Sequence, residues 1–157
     1  LGHGLSVGLG IAIGAVSKGY SSRVFIVVGD GELHEGSNWE AIMYAGHHKA
    51  NNLYLLIDKN ERSQMGETSD ACSLDPLIDK LRAFNFETYN VINGHDEEQI
   101  INIIKQTNNS KKPVAIICNT TKGKGVSFME GNNLWHYRSP QGDDFNNALL
   151  ELSGEIL

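Results

Sequence analysis

The stretch VFIVVGDGELHEGSNWEA (24–41) decides the fold. Val24 to Val28 form a continuous apolar, largely β-branched run with no polar alternation, the pattern of a strand buried on both faces as in parallel sheets. Gly29-Asp30-Gly31 ends the run in a glycine-rich turn, and a helical stretch follows from Ser37 to His48. Outward from this unit the pattern repeats. Leu53–Asp58 and Val114–Asn119, the latter preceded by Pro113, read as further buried strands, and Glu87–Ile92 as a weaker one.

Between the strands lie helical stretches at Gly4–Lys18, about Leu74–Phe84, and Glu97–Thr107. Gly19 is placed to stop the first, and Asp96 to cap the last, whose opening Glu97 and Glu98 suit the helix dipole. Helix and strand alternating four times predict an α/β fold: three layers, α/β/α, around a mostly parallel sheet. Gly123 to Ser139 reads as a long polar loop, with a short helix from Asp144 to Leu152 after it. Loops of that length carry function more often than not. No repeat or linker divides the chain, so residues 1–157 are expected to form a single domain.

Composition narrows the function. A net charge of −6 over 157 residues argues against wrapping nucleic acid or lying on an anionic membrane. The apolar runs Val24–Val28 and Leu53–Ile57 fall far short of the ~20 residues a spanning helix needs. Cys72 and Cys118 are too few for a disulfide scaffold, and a reducing, cytoplasmic setting is the expectation. Glycine is abundant at 17 residues while proline is only 3, which points to tight strand-to-helix turns rather than disorder. The sequence starts at Leu1 within a glycine-rich motif, and an N-terminus truncated or processed is expected.

Ligands of open α/β sheets bind beyond the carboxyl ends of the strands. Three polar segments fall there: Gly29–Glu32, Asp58–Asn60 and Lys122–Gly125. The dinucleotide fingerprint G-x-G-x-x-G fails, because Asp30 sits between the first two glycines and no third glycine is in register. No phosphate-binding G-x-x-x-x-G-K-[ST] loop occurs. An aspartate in that turn repels a pyrophosphate unless a cation lies between them. That reasoning points to Mg²⁺, with Asp30 offering a carboxylate oxygen and Asn60 an amide oxygen.

A Gly-Asp-Gly turn followed by an Asn about thirty residues later is similar to the thiamine diphosphate motif, and the chain resembles the N-terminal, diphosphate-binding domain of transketolase. The stretches that carry the resemblance are LGHGLSVGLGIAIGA (1–15), GDGELHEGSNWEA (29–41), LLIDKNERSQMG (55–66) and TKGKGVSFMEGNNLWH (121–136). They occur in family order and cover almost the whole chain. The resemblance implies a thiamine-diphosphate-binding fold with Mg²⁺ (or Ca²⁺) held by Asp30, Asn60 and the backbone carbonyl of Arg62. Gly31 resembles the glycine whose N–H binds diphosphate. Leu1, Gly2 and Gly4 resemble the loop whose backbone meets the aminopyrimidine. Glu35 and Glu40 resemble an acid pair linking the two active sites of a dimer, and His136 a histidine that reaches the diphosphate and the sugar hydroxyls. Three positions depart from the family's usual pattern: His3 stands for Gln, Lys59 for Asn, and Tyr137 for Gly.

The implied reaction is two-carbon ketol transfer between sugar phosphates. Two parts of that machinery have no match in the sequence: an upstream histidine-bearing segment, and the pyrimidine-binding domain with its activating glutamate. The implied partner is therefore a transketolase C-terminal domain or subunit, in a homo- or hetero-oligomer. Trp39, Tyr44 and Leu134 are candidate docking residues. Other readings stay open here: a deoxyxylulose-phosphate-synthase-like enzyme, a 2-oxo acid dehydrogenase α subunit, or a non-catalytic partner domain. Ser37-Asn38-Trp39-Glu40 also fits a capping box, a role Glu40 can combine with the first. Gly8, Gly10 and Gly14 can serve close helix–sheet packing.

Overall fold

The computed structural model describes residues 1–64 and 66–154; Met65, inside the 55–66 stretch, and residues 155–157 lie outside the described residues. In chain order the elements are α1 (Gly4–Ser17), β1 (Val24–Gly29), α2 (Gly36–His47), β2 (Leu53–Lys59), a two-residue ribbon of β3 (Arg62–Ser63) and β4 (Gly66–Glu67), α3 (Thr68–Ala71), α4 (Leu77–Ala83), β5 (Glu87–Val91), α5 (Glu97–Gln106), β6 (Val114–Asn119) and α6 (Asp143–Ser153). The main sheet runs β1-β2-β6-β5 with all its strands parallel. Its register pairs Gly29 with Asp58, Lys59 with Asn119 and Val91 with Cys118, so the strand ends form one rim.

Local chemistry explains where the helices start and stop. Past α1, the Gly19 N–H donates to the Val16 carbonyl and the Tyr20 N–H to that of Ala15, each at 2.9 Å, with Gly19 at φ +75°. That pair of bonds is the Schellman stop that glycine permits. Asp96 caps α5 by accepting the Gln99 N–H at 3.2 Å. The α4 boundary departs from the sequence reading, which began it at Leu74. Pro76 keeps the preceding residue out of the helical region, and α4 begins only at Leu77. The ribbon and α3, too short to show a hydrophobic period, were not expected.

The capping box of Ser37 and Glu40 is not formed. α2 starts one residue early, with Glu35 as N-cap, and Ser37 Oγ donates instead to the Gly2 carbonyl at 2.7 Å. Glu40 stands exposed on α2. Trp39, expected on a docking face, is half-buried: its Nε1 donates to the Leu33 carbonyl at 2.7 Å and its ring lies 6.2 Å from that of Phe84.

One sheet face packs Ile26, Val28, Leu55, Ile57 and Ile117 against α1, α2 and α4. The other packs Tyr54, Val114 and Ile116 against Ile100, Ile103 and Ile104 of α5. That second layer does not reach β1, where Phe25 and Val27 are 44% and 69% exposed. Arg23 lies over the Phe25 and Tyr54 rings at 5.3 and 5.6 Å.

Of the α1 glycines, Gly8 is the packing residue, since a Cβ there would lie 2.2 Å from Ile26 Cδ1; Gly10 and Gly14 face open space. A more severe constraint sits in α2. A Cβ on Gly46 would lie 1.7 Å from the Phe84 carbonyl oxygen, a backbone atom that no rotamer change can move. Gly46→Ala is expected to force α2 off the α4–β5 turn at a cost of about 3 kcal/mol, overwhelming the small gain in helix propensity. Urea denaturation reads this directly, and a midpoint at or above the wild-type value would contradict it.

Candidate functional site

A cleft of about 470 Å³ opens over the rim where β1, β2 and β6 end. Six residues singled out by sequence line it together: Leu1, Asp30, Gly31, Asn60, Arg62 and His136. Gly2, Gly4, Glu35 and Glu40 do not. Gly4 opens α1, and Glu35 and Glu40 are exposed. Glu32, His34 and Lys122 join the lining.

Asp30 is the center of the arrangement. It is 2% exposed, and its side chain accepts three hydrogen bonds at 3.0 Å: from the Gly31 N–H at Oδ1, and from the Glu61 N–H and Thr68 Oγ1 at Oδ2. A carboxylate has about four acceptor sites, so the described donors leave one, on Oδ1. Burial nevertheless pushes its pKa up; the three donors oppose the shift and nearby Asp58 adds to it. A carboxylate held in the charged form against desolvation, beside a second carboxylate, is a site that a cation relieves. The Gly31 N–H, expected to face a diphosphate, is here turned to Asp30.

Asn60 is fixed by two bonds of opposite sense. Its Nδ2 donates to Asp58 Oδ2 at 3.1 Å and its Oδ1 accepts the Arg62 N–H at 3.0 Å. A carboxylate partner demands the NH₂ and an N–H partner demands the oxygen, which settles the amide orientation. Asp58 also accepts Thr120 Oγ1 through Oδ1. The Arg62 carbonyl lies 3.8 Å from where a Cβ on Gly31 would be, so it borders the Asp30 turn. Its guanidinium is occupied elsewhere, 3.3 Å from Glu67 Oε1. Among the described residues no three His, Cys, Asp or Glu side chains converge as a metal cluster. With Asp58 and Glu32 engaged by other donors, the set left on the rim is the Asp30 carboxylate with an amide and a carbonyl oxygen. Hard oxygens of that kind, few in number, suit Mg²⁺, which completes its shell with waters and phosphates.

The remaining walls are held by specific contacts. The Gly2 N–H donates to Glu32 Oε1 at 2.9 Å, and Gly2 sits at φ +73° where a Cβ would come within 2.7 Å of Glu35 Cβ. Only glycine fits there. His136 ends a single helical turn (Asn133–His136) capped by Asn132 Oδ1, which accepts the Leu134 N–H at 3.0 Å. The long loop carrying it is braced rather than open. Gly131 N–H closes on the Lys122 carbonyl at 2.9 Å, and Trp135 Nε1 donates to the Phe128 carbonyl at 3.1 Å.

A second cleft, about 570 Å³, lies between α2 and α4; it shares His34 with the first but is lined by no carboxylate. Sequence reasoning missed Thr68, and it placed Glu32 on the rim without a role. Thr68 reaches Asp30 through a short turn with no periodic signal, and the bond from the Gly2 N–H to Glu32 joins segments 30 residues apart.

An all-parallel main sheet with a buried aspartate, an oriented amide and a lysine in one cleft at its carboxyl rim defines an α/β domain with a polar ligand cleft. The chain belongs to the family described as transketolase, thiamine diphosphate binding domain, whose model matches residues 2–151. It is 42% identical over 155 residues to an apulose-4-phosphate transketolase chain of Actinobacillus succinogenes, covering 99% of this chain and 56% of that protein. It is 35% identical over 156 residues to 6-deoxy-6-sulfo-D-fructose transketolase subunit SqwG of a Clostridium species, again covering 99% and 56%. The chain thus spans about half the length of these curated relatives. Among solved structures, transketolase from Campylobacter jejuni superposes with a TM-score of 0.89 at 31% identity, over 98% of this chain and 25% of that one. These comparisons bear out the family and the α/β fold read from the sequence. No described helix is long and apolar enough to cross a membrane.

Proposed function

We propose that this chain supplies the diphosphate- and Mg²⁺-binding half of a thiamine-diphosphate-dependent ketol transferase acting on sugar phosphates. The observation that carries the reading is Asp30, buried and charged-form hydrogen-bonded, sharing one cleft with Asn60, Arg62, Lys122 and His136. Asp30 Oδ1, Asn60 Oδ1 and the Arg62 carbonyl would hold Mg²⁺ (or Ca²⁺). Lys122 would add positive charge beside the diphosphate. His136 would donate to diphosphate oxygens and sugar hydroxyls. The Leu1–Gly2 turn, pinned by Glu32 and Ser37, would offer backbone groups to the aminopyrimidine, with Gly4 letting α1 start directly behind it. Glu35 and Glu40, exposed on the α2 side, would face a second active site across a dimer. Thiamine diphosphate, when bound, supplies the electron sink for moving a two-carbon unit from a ketose to an aldose. The protein's part is to bind, orient and keep water from the reacting groups. A cytoplasmic setting completes the proposal.

Isothermal titration with thiamine diphosphate, with and without Mg²⁺ and with and without a pyrimidine-binding half, tests this reading. Saturable binding that needs Mg²⁺ is expected. Equal affinity in Mg²⁺ and in chelator would contradict it.

The raised Asp30 pKa adds a pH signature. In the cofactor-free chain its contribution to stability is present below the ordinary carboxyl range of ~4 and lost as pH rises through the raised value. A bound cation reverses that loss. The thermal shift produced by Mg²⁺ with thiamine diphosphate is therefore expected to grow from pH 4.5 to pH 7.5, and a shift that shrinks over that range would count against a cation at Asp30.

A further inference from the structure

Where β6 ends, its extension is gripped from both sides. Toward β2, the Thr120 N–H donates to the Lys59 carbonyl at 3.1 Å. Toward β5, the turn Asn93–Asp96 is pressed onto the backbone. The Gly94 N–H donates to the Asn119 carbonyl at 2.7 Å, and a Cβ on Gly94 would lie 2.7 Å from Thr120 Cγ2 and 2.8 Å from that carbonyl oxygen. This contact brings the next residue, His95, over the chain, where its Nε2 accepts the Thr121 N–H at 2.8 Å. The residue after Thr121 is Lys122, which lines the cleft and whose carbonyl closes the His136-bearing loop through Gly131.

We propose that His95 is a positioning residue: its neutral imidazole, by accepting the Thr121 N–H, fixes the start of the loop that carries Lys122 and His136 to the cofactor cleft. The consequence for cofactor binding rests on the function proposed above; the consequence for the loop does not. An N–H can donate to Nε2 only when that nitrogen is unprotonated, so the proton of the neutral ring sits on Nδ1. Protonation makes both ring nitrogens donors, and Nε2–H then opposes the Thr121 N–H. Of the charged groups around the ring, Glu130 of the loop faces it, itself held by the Gly125 N–H and by Lys124 at 3.2 Å. Asp96 is engaged in capping α5, and Asn119 and Thr120 at the end of β6 do not titrate. A ring nitrogen that carries a proton cannot make this contact, whereas any side chain that places an acceptor at the same point can.

Two variants separate the roles. His95→Gln keeps an acceptor near the position of Nε2; His95→Ala does not. Amide exchange in the cofactor-free chain, expressed as protection relative to the intrinsic rate, reads the loop alone. Thr121 protection at pH 7.5 is expected to be about tenfold lower in His95→Ala than in the wild type and to stay close to the wild-type value in His95→Gln. Titration with thiamine diphosphate and Mg²⁺ should follow the same order, with affinity reduced about five- to tenfold in His95→Ala at pH 7.5 and restored to within about twofold in His95→Gln. If no form binds the cofactor, the functional reading fails and the exchange data still decide the role of His95 in the loop. If binding occurs but Thr121 protection and affinity are the same in wild type and His95→Ala, the proposal is overturned.

Discussion

Asp30→Ala is expected to weaken Mg²⁺-dependent binding of thiamine diphosphate by more than about 100-fold, the scale on which even supporting residues of metal sites act. Among the described residues, the substitution removes the one rim carboxylate that is buried and keeps an acceptor site without a donor. It also strands the Glu61 and Gly31 N–H groups and the Thr68 hydroxyl, so some loss of stability accompanies it. Asn60→Ala controls for that. Asn60 is only half-buried, and its loss frees one Arg62 N–H beside solvent while taking away a neutral oxygen. An effect of about 10- to 100-fold is expected for it, with a melting temperature close to wild type. Wild-type affinity in either variant, measured by titration calorimetry, would contradict the placement of the cation.

The second large effect concerns activity. The chain alone is expected to show no ketol transfer, and activity is expected to appear when it is mixed with a transketolase C-terminal half. The physical reason lies in what the cleft contains. Its described walls offer Asp30 and Asp58, each already accepting hydrogen bonds, a lysine, two histidines, of which His34 contacts the Cys72 carbonyl, and an N-terminal turn braced by Glu32. The aminopyrimidine has to be deprotonated for the cofactor to become a nucleophile, and Glu32, the carboxylate bonded to that turn, is already engaged with the Gly2 N–H at 2.9 Å. A coupled assay with a ketose donor and an aldose acceptor measures the outcome. Turnover by the purified chain, with host enzyme excluded, would contradict this division of labor.

Much of the scaffold was legible because burial on both faces writes continuous apolar runs. Val24–Val28, Leu53–Ile57 and Val114–Cys118 announce parallel strands in any frame, and their polar ends announce the rim. Asp30 and Asn60 were placed at adjacent strand ends for the same reason, and the register agrees, with the Asp30 N–H donating to the Asp58 carbonyl at 3.0 Å. What stayed hidden depends on contacts between segments distant in sequence. Ser37 bonds Gly2, not its own helix, so a local capping signal was outweighed by a tertiary partner at 2.7 Å. Thr68 reaches Asp30 across 38 residues, and Gly46 matters only because the Phe84 carbonyl lies against it. His95 follows the same logic: a surface-like histidine in a polar turn becomes structural once Gly94 presses that turn onto β6.

The proposed function stands or falls with a divalent cation among Asp30, Asn60 and the Arg62 carbonyl, at the ends of β1 and β2. Crystals of the chain assembled with a pyrimidine-binding half, grown with thiamine diphosphate and Mn²⁺ in place of Mg²⁺, test it by anomalous scattering. One peak is expected, at coordination distance from Asp30 Oδ1, Asn60 Oδ1 and the Arg62 carbonyl oxygen and from two phosphate oxygens. Bound cofactor with no peak there, or with the cation held by other residues, would contradict it.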